Sequence, residues 1–320
     1  MPRSIPTLIF IIFCSVSLFT QNTVLAQDAG LTQDTGSTQE NVEQELERQP
    51  PTQQAGPLAS PLPDDRENFH LYLLVGQSNM AGRGKVTDID QRPHPRVLML
   101  NQQLHWVPAV DPLHFDKPKV VGVGPGRSFA IAMAESNPDV TVGVIPCAVG
   151  GSSIVAWDPG GYHASTKTHP YDDMLVRLRA AMKSGTVKGI LWHQGESDSK
   201  PTTSGIYEEK LRQLIARLRS EIGDQDVPFI AGQLGQFPER PWNQHRIRIN
   251  AAHQALPQKI KRTAFVASDG LIHKGDETHF NADSARQFGQ RYAAAYRALV
   301  SEKAKADDPK SLELNDGDRV

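Results

Sequence analysis

The chain has 320 residues, 38% of them hydrophobic and 22% charged, with a formal net charge of −2. That length holds one sizeable domain or two small ones. The near-neutral charge supplies no field for a polyanion, so no nucleic-acid partner is expected.

In chain order, residues 1–26 read as a secretory signal peptide. Arg3 gives a positive start, "TLIFIIFCSVSLF" a short apolar core, and "VLA" before Gln27 the small or apolar residues of a cleavage site. The core falls short of the ~20 residues of a membrane span. No stable span is expected after cleavage, and the protein is expected to be secreted or periplasmic; an uncleaved anchor is the alternative. Removal of the signal leaves Cys147 as the one cysteine, which excludes an internal disulfide. It reads as a small buried residue rather than a nucleophile. Residues 27–66 are rich in Gln, Thr, Glu, Asp and Pro and read as a disordered linker. Residues 302–320 read as a charged flexible tail. One folded domain, 67–301, remains.

Inside that domain, apolar runs of strand length fall at 70–76, 96–100, 140–146, 188–194, 227–234 and 263–268. Helix-period segments fall at 127–136, 171–184, 205–221, 243–256 and 281–299. Leu211, Leu214, Ile215 and Leu218 recur on one helical face, as do Phe288, Tyr292 and Tyr296. Apolar strands alternating with amphipathic helices predict an α/β fold, with a mostly parallel sheet covered on both sides. Ligands in such folds lie beyond the carboxyl ends of the strands.

The residues after those ends are polar. The first strand runs into Gly76-Gln77-Ser78-Asn79, and the third into Cys147-Ala148-Val149-Gly150-Gly151. The fourth runs into His193-Gln194-Gly195-Glu196, and the last is followed by "HKGDETHF" with Asp276 and His279. Ester hydrolysis needs a serine oxygen, an imidazole to take its proton, and a carboxylate to orient the imidazole. Ser78, His279 and Asp276 are the candidates. Donors to the oxyanion are expected from the N–H of Ser78, an N–H at Gly150 or Gly151, and the Gln194 amide. Each residue also has a plainer reading. Ser78 can be a turn residue, and Gly150-Gly151 a tight turn. His273, four residues after Asp269, rivals His279. His193 can contact substrate or can hydrogen-bond in the core. Trp157, Trp192 and Trp242 can stack on sugar rings or can be simply partly buried bulk, and none is singled out. "RPWNQHR" (240–246) reads as a rim loop entering a helix, with a possible substrate-lining role. "GVGPGRS" (122–128) lacks the Gly-Lys-Ser/Thr ending of a phosphate loop, and no metal-ligand pattern is present.

"GQSNMAG", "PCAVGGSSIVAW", "LWHQGESD" and "DETHFNADS", in this order, resemble the SGNH hydrolase superfamily. They are most similar to the branch of family 6 acetylxylan esterases and sialate O-acetylesterase-like domains. The resemblance covers residues 70 to about 295. It implies a three-layer α/β/α sandwich, flavodoxin-like in its layering. It also implies deacetylation of sugar esters through an acyl-enzyme, with Ser78 as nucleophile and His279 as base, and no cofactor or metal. "HQGE" stands where the superfamily has an oxyanion asparagine, which makes Gln194 the counterpart. The same motif leaves Glu196 as an alternative or auxiliary acid to Asp276. Gln77, Asn79 and His193 are expected to bind substrate. The expected activity is removal of acetyl groups from acetylxylan or another O-acetylated sugar. The alternatives are the same machinery on a sialate or other ester, and a catalytically silent glycan-binding module.

Overall fold

The computed structural model describes residues 62–306. The expected signal peptide, nearly all of the expected linker and the end of the expected tail lie outside the described residues. In chain order the elements are β1 (Phe69–Gly76), α1 (Ser78–Ala81), β2 (Val97–Leu100), β3 (Trp106–Pro108), α2 (Pro125–Ser136), β4 (Thr141–Pro146), α3 (Pro170–Ala181), β5 (Thr186–His193), α4 (Pro201–Ser204), α5 (Tyr207–Ile222), β6 (Phe229–Gly232), α6 (Gln244–Gln254), α7 (Leu256–Lys259), β7 (Thr263–Val266) and α8 (Ala282–Ala306). The strands form one sheet in the order β3-β2-β4-β1-β5-β6-β7. All pairings are parallel except that of β2 with β3. This is the expected mostly parallel α/β sheet. No helix among the described residues is long and apolar enough to cross a membrane.

Alternation along the strands explains the two covered faces, because successive side chains point to opposite sides. Phe69, Leu71, Leu73 and Val75 of β1 pack with Met174 and Leu178 of α3 and with Leu211 and Leu218 of α5. Tyr72 and Leu74 face the other way, into a core shared with Phe129 of α2 and with Phe288 and Tyr292 of α8. The aromatic face of α8 is also tied to the sheet. The Tyr292 hydroxyl donates to the Trp192 carbonyl at 2.8 Å, and that of Tyr296 to the Lys188 carbonyl at 3.0 Å.

All six expected strands form. Antiparallel β3 has three residues, too few to show a period, and was not expected. Helix α8 runs on past residue 299 to Ala306, so part of the expected tail is helical. "SEKAKA" is built largely of good helix formers. At the other end, Leu62 packs against the core, and the Arg66 guanidinium donates to the carbonyls of Met182 and Gly185. The last residues of the expected linker therefore lie on the domain.

Strand β1 sits at the centre, between β4 and β5, and its end sets the site. Gly76 has φ +129°, and a Cβ there would lie 2.1 Å from the His193 carbonyl oxygen. Only glycine lets the ends of β1 and β5 approach this closely. The Gln77 N–H then donates to that carbonyl at 2.8 Å, and the chain turns directly into Ser78.

Candidate active site

Ser78 opens the short helix α1 at the carboxyl end of β1, and His279 lies in the loop between β7 and α8. The fold brings them together: His279 Nε2 is 2.9 Å from Ser78 Oγ. On the other side of the ring, His279 Nδ1 is 2.7 Å from Asp276 Oδ2. The Asp276 Oδ1 accepts the backbone N–H of His279 at 2.8 Å and that of Thr278 at 3.1 Å. Partial burial pushes the Asp276 carboxyl up, but the hydrogen bonds and charge of His279 outweigh it and hold the group well below the usual carboxylate range. The ionised Asp276 thus fixes a proton on Nδ1 and leaves Nε2 free to accept from the serine.

Glu196, the alternative acid, does not reach His279. Its Oε1 accepts from the Asn79 amide at 2.6 Å and lies 3.5 Å from His193 Nε2. The Asn79 side chain also donates to the Thr278 carbonyl at 3.0 Å and accepts from the Phe280 N–H at 3.1 Å. Asn79, expected to bind substrate, instead ties three loops together around Ser78. His193 is fully buried, edge-on to Phe280 and Phe288, and does not line the cleft that holds Ser78. The other expected contact, Gln77, does line it, and its Oε1 accepts from the Ser197 N–H at 3.3 Å. His273 is committed elsewhere. Its Nδ1 accepts the N–H groups of Gly275 and Glu277 at 2.9 and 3.1 Å, shaping the loop that carries Asp276.

Burial would raise the Glu196 carboxyl, but His193, the charge of Arg246 and the Asn79 amide outweigh it and bring the group to about 2, against 4.5 ordinarily. A lowered folded-state pKa stabilises the protein fully above the unfolded value, and this stabilisation is lost as pH falls through the folded value. The window here runs from about 4.5 down to about 2. Unfolding by denaturant at about pH 6 and about pH 3 is therefore expected to show a smaller acid loss in Glu196→Gln than in the parent. Equal losses would mean that Glu196 is not held ionised by its neighbours.

The expected oxyanion donors divide. Among the described residues, the backbone N–H groups of Ser78 and Gly151 have no hydrogen-bond partner, and both residues line the cleft. The Gly150 N–H is taken by Asp116 Oδ2 at 2.7 Å, and the same oxygen pairs with Arg83 at 3.0 Å. The Gln194 amide turns away from the cleft. It is fully buried, and it donates inward to the Ser152 carbonyl at 3.0 Å and to Asp198 Oδ2 at 2.5 Å. Asp198 also accepts from Ser153 Oγ at 2.6 Å and the Ile154 N–H at 2.7 Å. Gln194 and Asp198 therefore clamp the glycine turn against the end of β5, and no Gln194 N–H is left for an oxyanion. Asp116 and Asp198 were not singled out from the sequence. Asp198 stands inside "HQGESD", but Asp116 sits in an aperiodic stretch that offers no signal.

The cleft holds about 500 Å³. The indoles of Trp157 and Trp192 lie in the core, 5.6 Å apart, and are not platforms for a sugar. Trp242 is partly buried, with its N–H on the Gly235 carbonyl at 2.8 Å. Cys147 lines a separate cavity of about 410 Å³ that shares no lining residue with the Ser78 cleft. Burial pushes its thiol up to about 11, so it is not a thiolate at neutral pH.

The family described as carbohydrate esterase, sialic acid-specific acetylesterase matches residues 68–298. A probable carbohydrate esterase of Arabidopsis thaliana is 30% identical over 259 residues, covering 75% of this chain and 93% of that protein. Its solved structure matches with a TM-score of 0.64 over 72% of this chain and 98% of that one. A probable 9-O-acetyl-N-acetylneuraminic acid deacetylase of Escherichia coli K12 is 24% identical over 218 residues, 54% of this chain and 65% of that protein. The structure of a carbohydrate acetylesterase from Xanthomonas citri shares the fold, with 21% identity, a TM-score of 0.56, and coverage of 72% of this chain and 57% of that one.

Proposed function

Because the chain belongs to the sialic acid-specific acetylesterase family of carbohydrate esterases, we propose that it removes O-acetyl groups from sugars through a covalent acetyl-enzyme on Ser78. Membership makes it a carboxylic ester hydrolase. The observation that carries the mechanism is the continuous hydrogen-bonded line from Ser78 Oγ through His279 to Asp276, at 2.9 and 2.7 Å.

The chemistry follows from that line. Ser78 Oγ attacks the acetyl carbonyl carbon while its proton passes to His279 Nε2. Asp276 stabilises the imidazolium and keeps the ring in register. The oxyanion meets the unpaired N–H groups of Ser78 and Gly151. Collapse breaks the bond from carbon to the sugar oxygen, which leaves with the proton from Nε2. Water then attacks the acetyl-enzyme and gives a proton to His279. The second collapse returns that proton to Ser78 Oγ and frees acetate. The apolar N-terminal segment supports export, so the expected substrate is a sugar outside the cytoplasm, such as acetylxylan or an acetylated sialic acid.

Acetate release from acetylated xylan, O-acetylated sialic acid and an aryl acetate tests this reading. The purified protein is expected to cleave the aryl acetate and at least one sugar ester. Sugar binding without acetate release from any of the three would replace the esterase with a glycan-binding module.

A further inference from the structure

The two unpaired N–H groups that face an oxyanion stand on different loops, Ser78 after β1 and Gly151 after β4. Their relative placement decides whether both reach one oxygen. A backbone bond ties the loops at Val149, whose N–H donates to the Gly76 carbonyl at 2.9 Å. Beyond it come Gly150 and Gly151, and glycine has the widest backbone freedom of any residue. Gly151 sits at φ +84°. Such a turn keeps an N–H in one direction only if its surroundings hold it there.

A buried carboxylate supplies a hold. Asp116 Oδ2 accepts the Gly150 N–H at 2.7 Å and Arg83 Nη2 at 3.0 Å. Arg83 Nη1 donates to the Gly82 carbonyl at 2.6 Å, and the Gly82 N–H donates to the Ser78 carbonyl at 2.9 Å, closing α1. One oxygen therefore joins the glycine turn to the helix that begins with Ser78. The side chains of Arg83 and Asp116 are 6% and 2% exposed. The fit leaves no room at residue 150, where a Cβ would lie 2.2 Å from Arg83 Nη2 and 2.8 Å from Asp116 Oδ2. A buried ion pair is a weak source of stability, since apolar residues of similar volume often serve as well. Apolar side chains cannot accept a peptide N–H, so what this pair adds is direction.

We propose that Asp116 is a positioning residue for the oxyanion site. With Arg83 it fixes the glycine turn against α1, so that the N–H groups of Ser78 and Gly151 converge on the acetyl oxygen. The inference rests on the esterase reading above and adds a residue to its machinery. Asp116 acts through Gly150 and does not touch the reacting atoms. The acetyl oxygen gains its negative charge on the way to the tetrahedral intermediate, so a loosened turn should lower kcat and leave KM nearly unchanged.

The parent is compared with Asp116→Leu/Arg83→Met, which replaces both charges by apolar groups, and with Asp116→Asn, which keeps an acceptor oxygen. Active sites are titrated with a fluorophosphonate, and kcat for an aryl acetate is expressed per titrated site. A purely structural role lowers the number of sites and leaves this value alone. The aryl acetate is neutral, so losing the Arg83 charge from the cleft wall should not by itself change its binding. The double variant is expected to lose about 10²-fold in kcat per site, with KM within about threefold of the parent. An aryl trifluoromethyl ketone, which takes up the serine oxygen to form a tetrahedral oxyanion, should bind more weakly by a similar factor. Asp116→Asn should recover most of the loss. If the double variant yields no titratable sites, Asp116→Ala carries the same comparison. A kcat per site within about threefold of the parent, or a change confined to KM, would overturn the proposal. If the parent cleaves the aryl acetate and the variants match it, this inference falls alone. If the parent neither cleaves the ester nor reacts with the fluorophosphonate, the esterase reading falls and takes this inference with it.

Discussion

Ser78→Ala is expected to lower kcat for acetyl-ester hydrolysis by about 10⁴- to 10⁶-fold, the loss found when a triad nucleophile is removed. The mechanism forms the acetyl-enzyme at Ser78 Oγ, and no other hydroxyl bonds to His279 Nε2 among the described residues. The fold should survive. Among the described residues the hydroxyl's side-chain partner is His279, which is partly open to solvent, so the change in unfolding free energy should stay within about 1 kcal/mol. Kinetics on an aryl acetate and denaturant unfolding of the same preparation check both halves. Activity retained within a few-fold of the parent would remove Ser78 from the chemistry.

Asp276→Asn should have the second-largest effect, and it decides between two carboxylates. An asparagine can present its NH2 to Nδ1. That favours the ring tautomer with hydrogen on Nε2, which cannot accept the serine proton. In an enclosed triad this change costs about 10⁴ in kcat. The Asp276 side chain is 34% exposed, so water can partly replace it, and about 10²- to 10⁴-fold is expected. Glu196→Gln should cost less than about tenfold, because Glu196 touches Asn79 and His193 rather than His279. Steady-state kinetics on the two variants side by side provide the check. The reverse ranking would make Glu196 the principal acid.

The sequence carried much of this arrangement because its strands are continuous apolar runs, each ending in a polar turn. Ser78 and His279 are 201 residues apart, yet each follows a strand of one parallel sheet, so the fold type places them on a common edge. The Asp276–His279 pair was legible because three residues in one loop keep the groups close. What stayed hidden depends on contacts between loops. Whether the Gln194 amide faces the cleft or turns inward is settled by Asp198 and the Ser152 carbonyl, and no residue pattern records that choice. Asn79 looked like a substrate contact because it adjoins the nucleophile. Its three hydrogen bonds go instead to the loops after β5 and β7. The stretch 240–246, read as a rim loop entering a helix with a possible substrate-lining role, does bring Arg240 and Arg246 to the wall of the Ser78 cleft.

Covalent capture tests the central claim most directly. The protein would be reacted with a small fluorophosphonate that mimics the tetrahedral intermediate, and the adduct located by peptide mass mapping. One phosphonyl group on the peptide bearing Ser78, absent in Ser78→Ala, is the expected result. Labelling of a different serine, or no adduct on a preparation that still releases acetate, would contradict the assignment of Ser78 as the nucleophile.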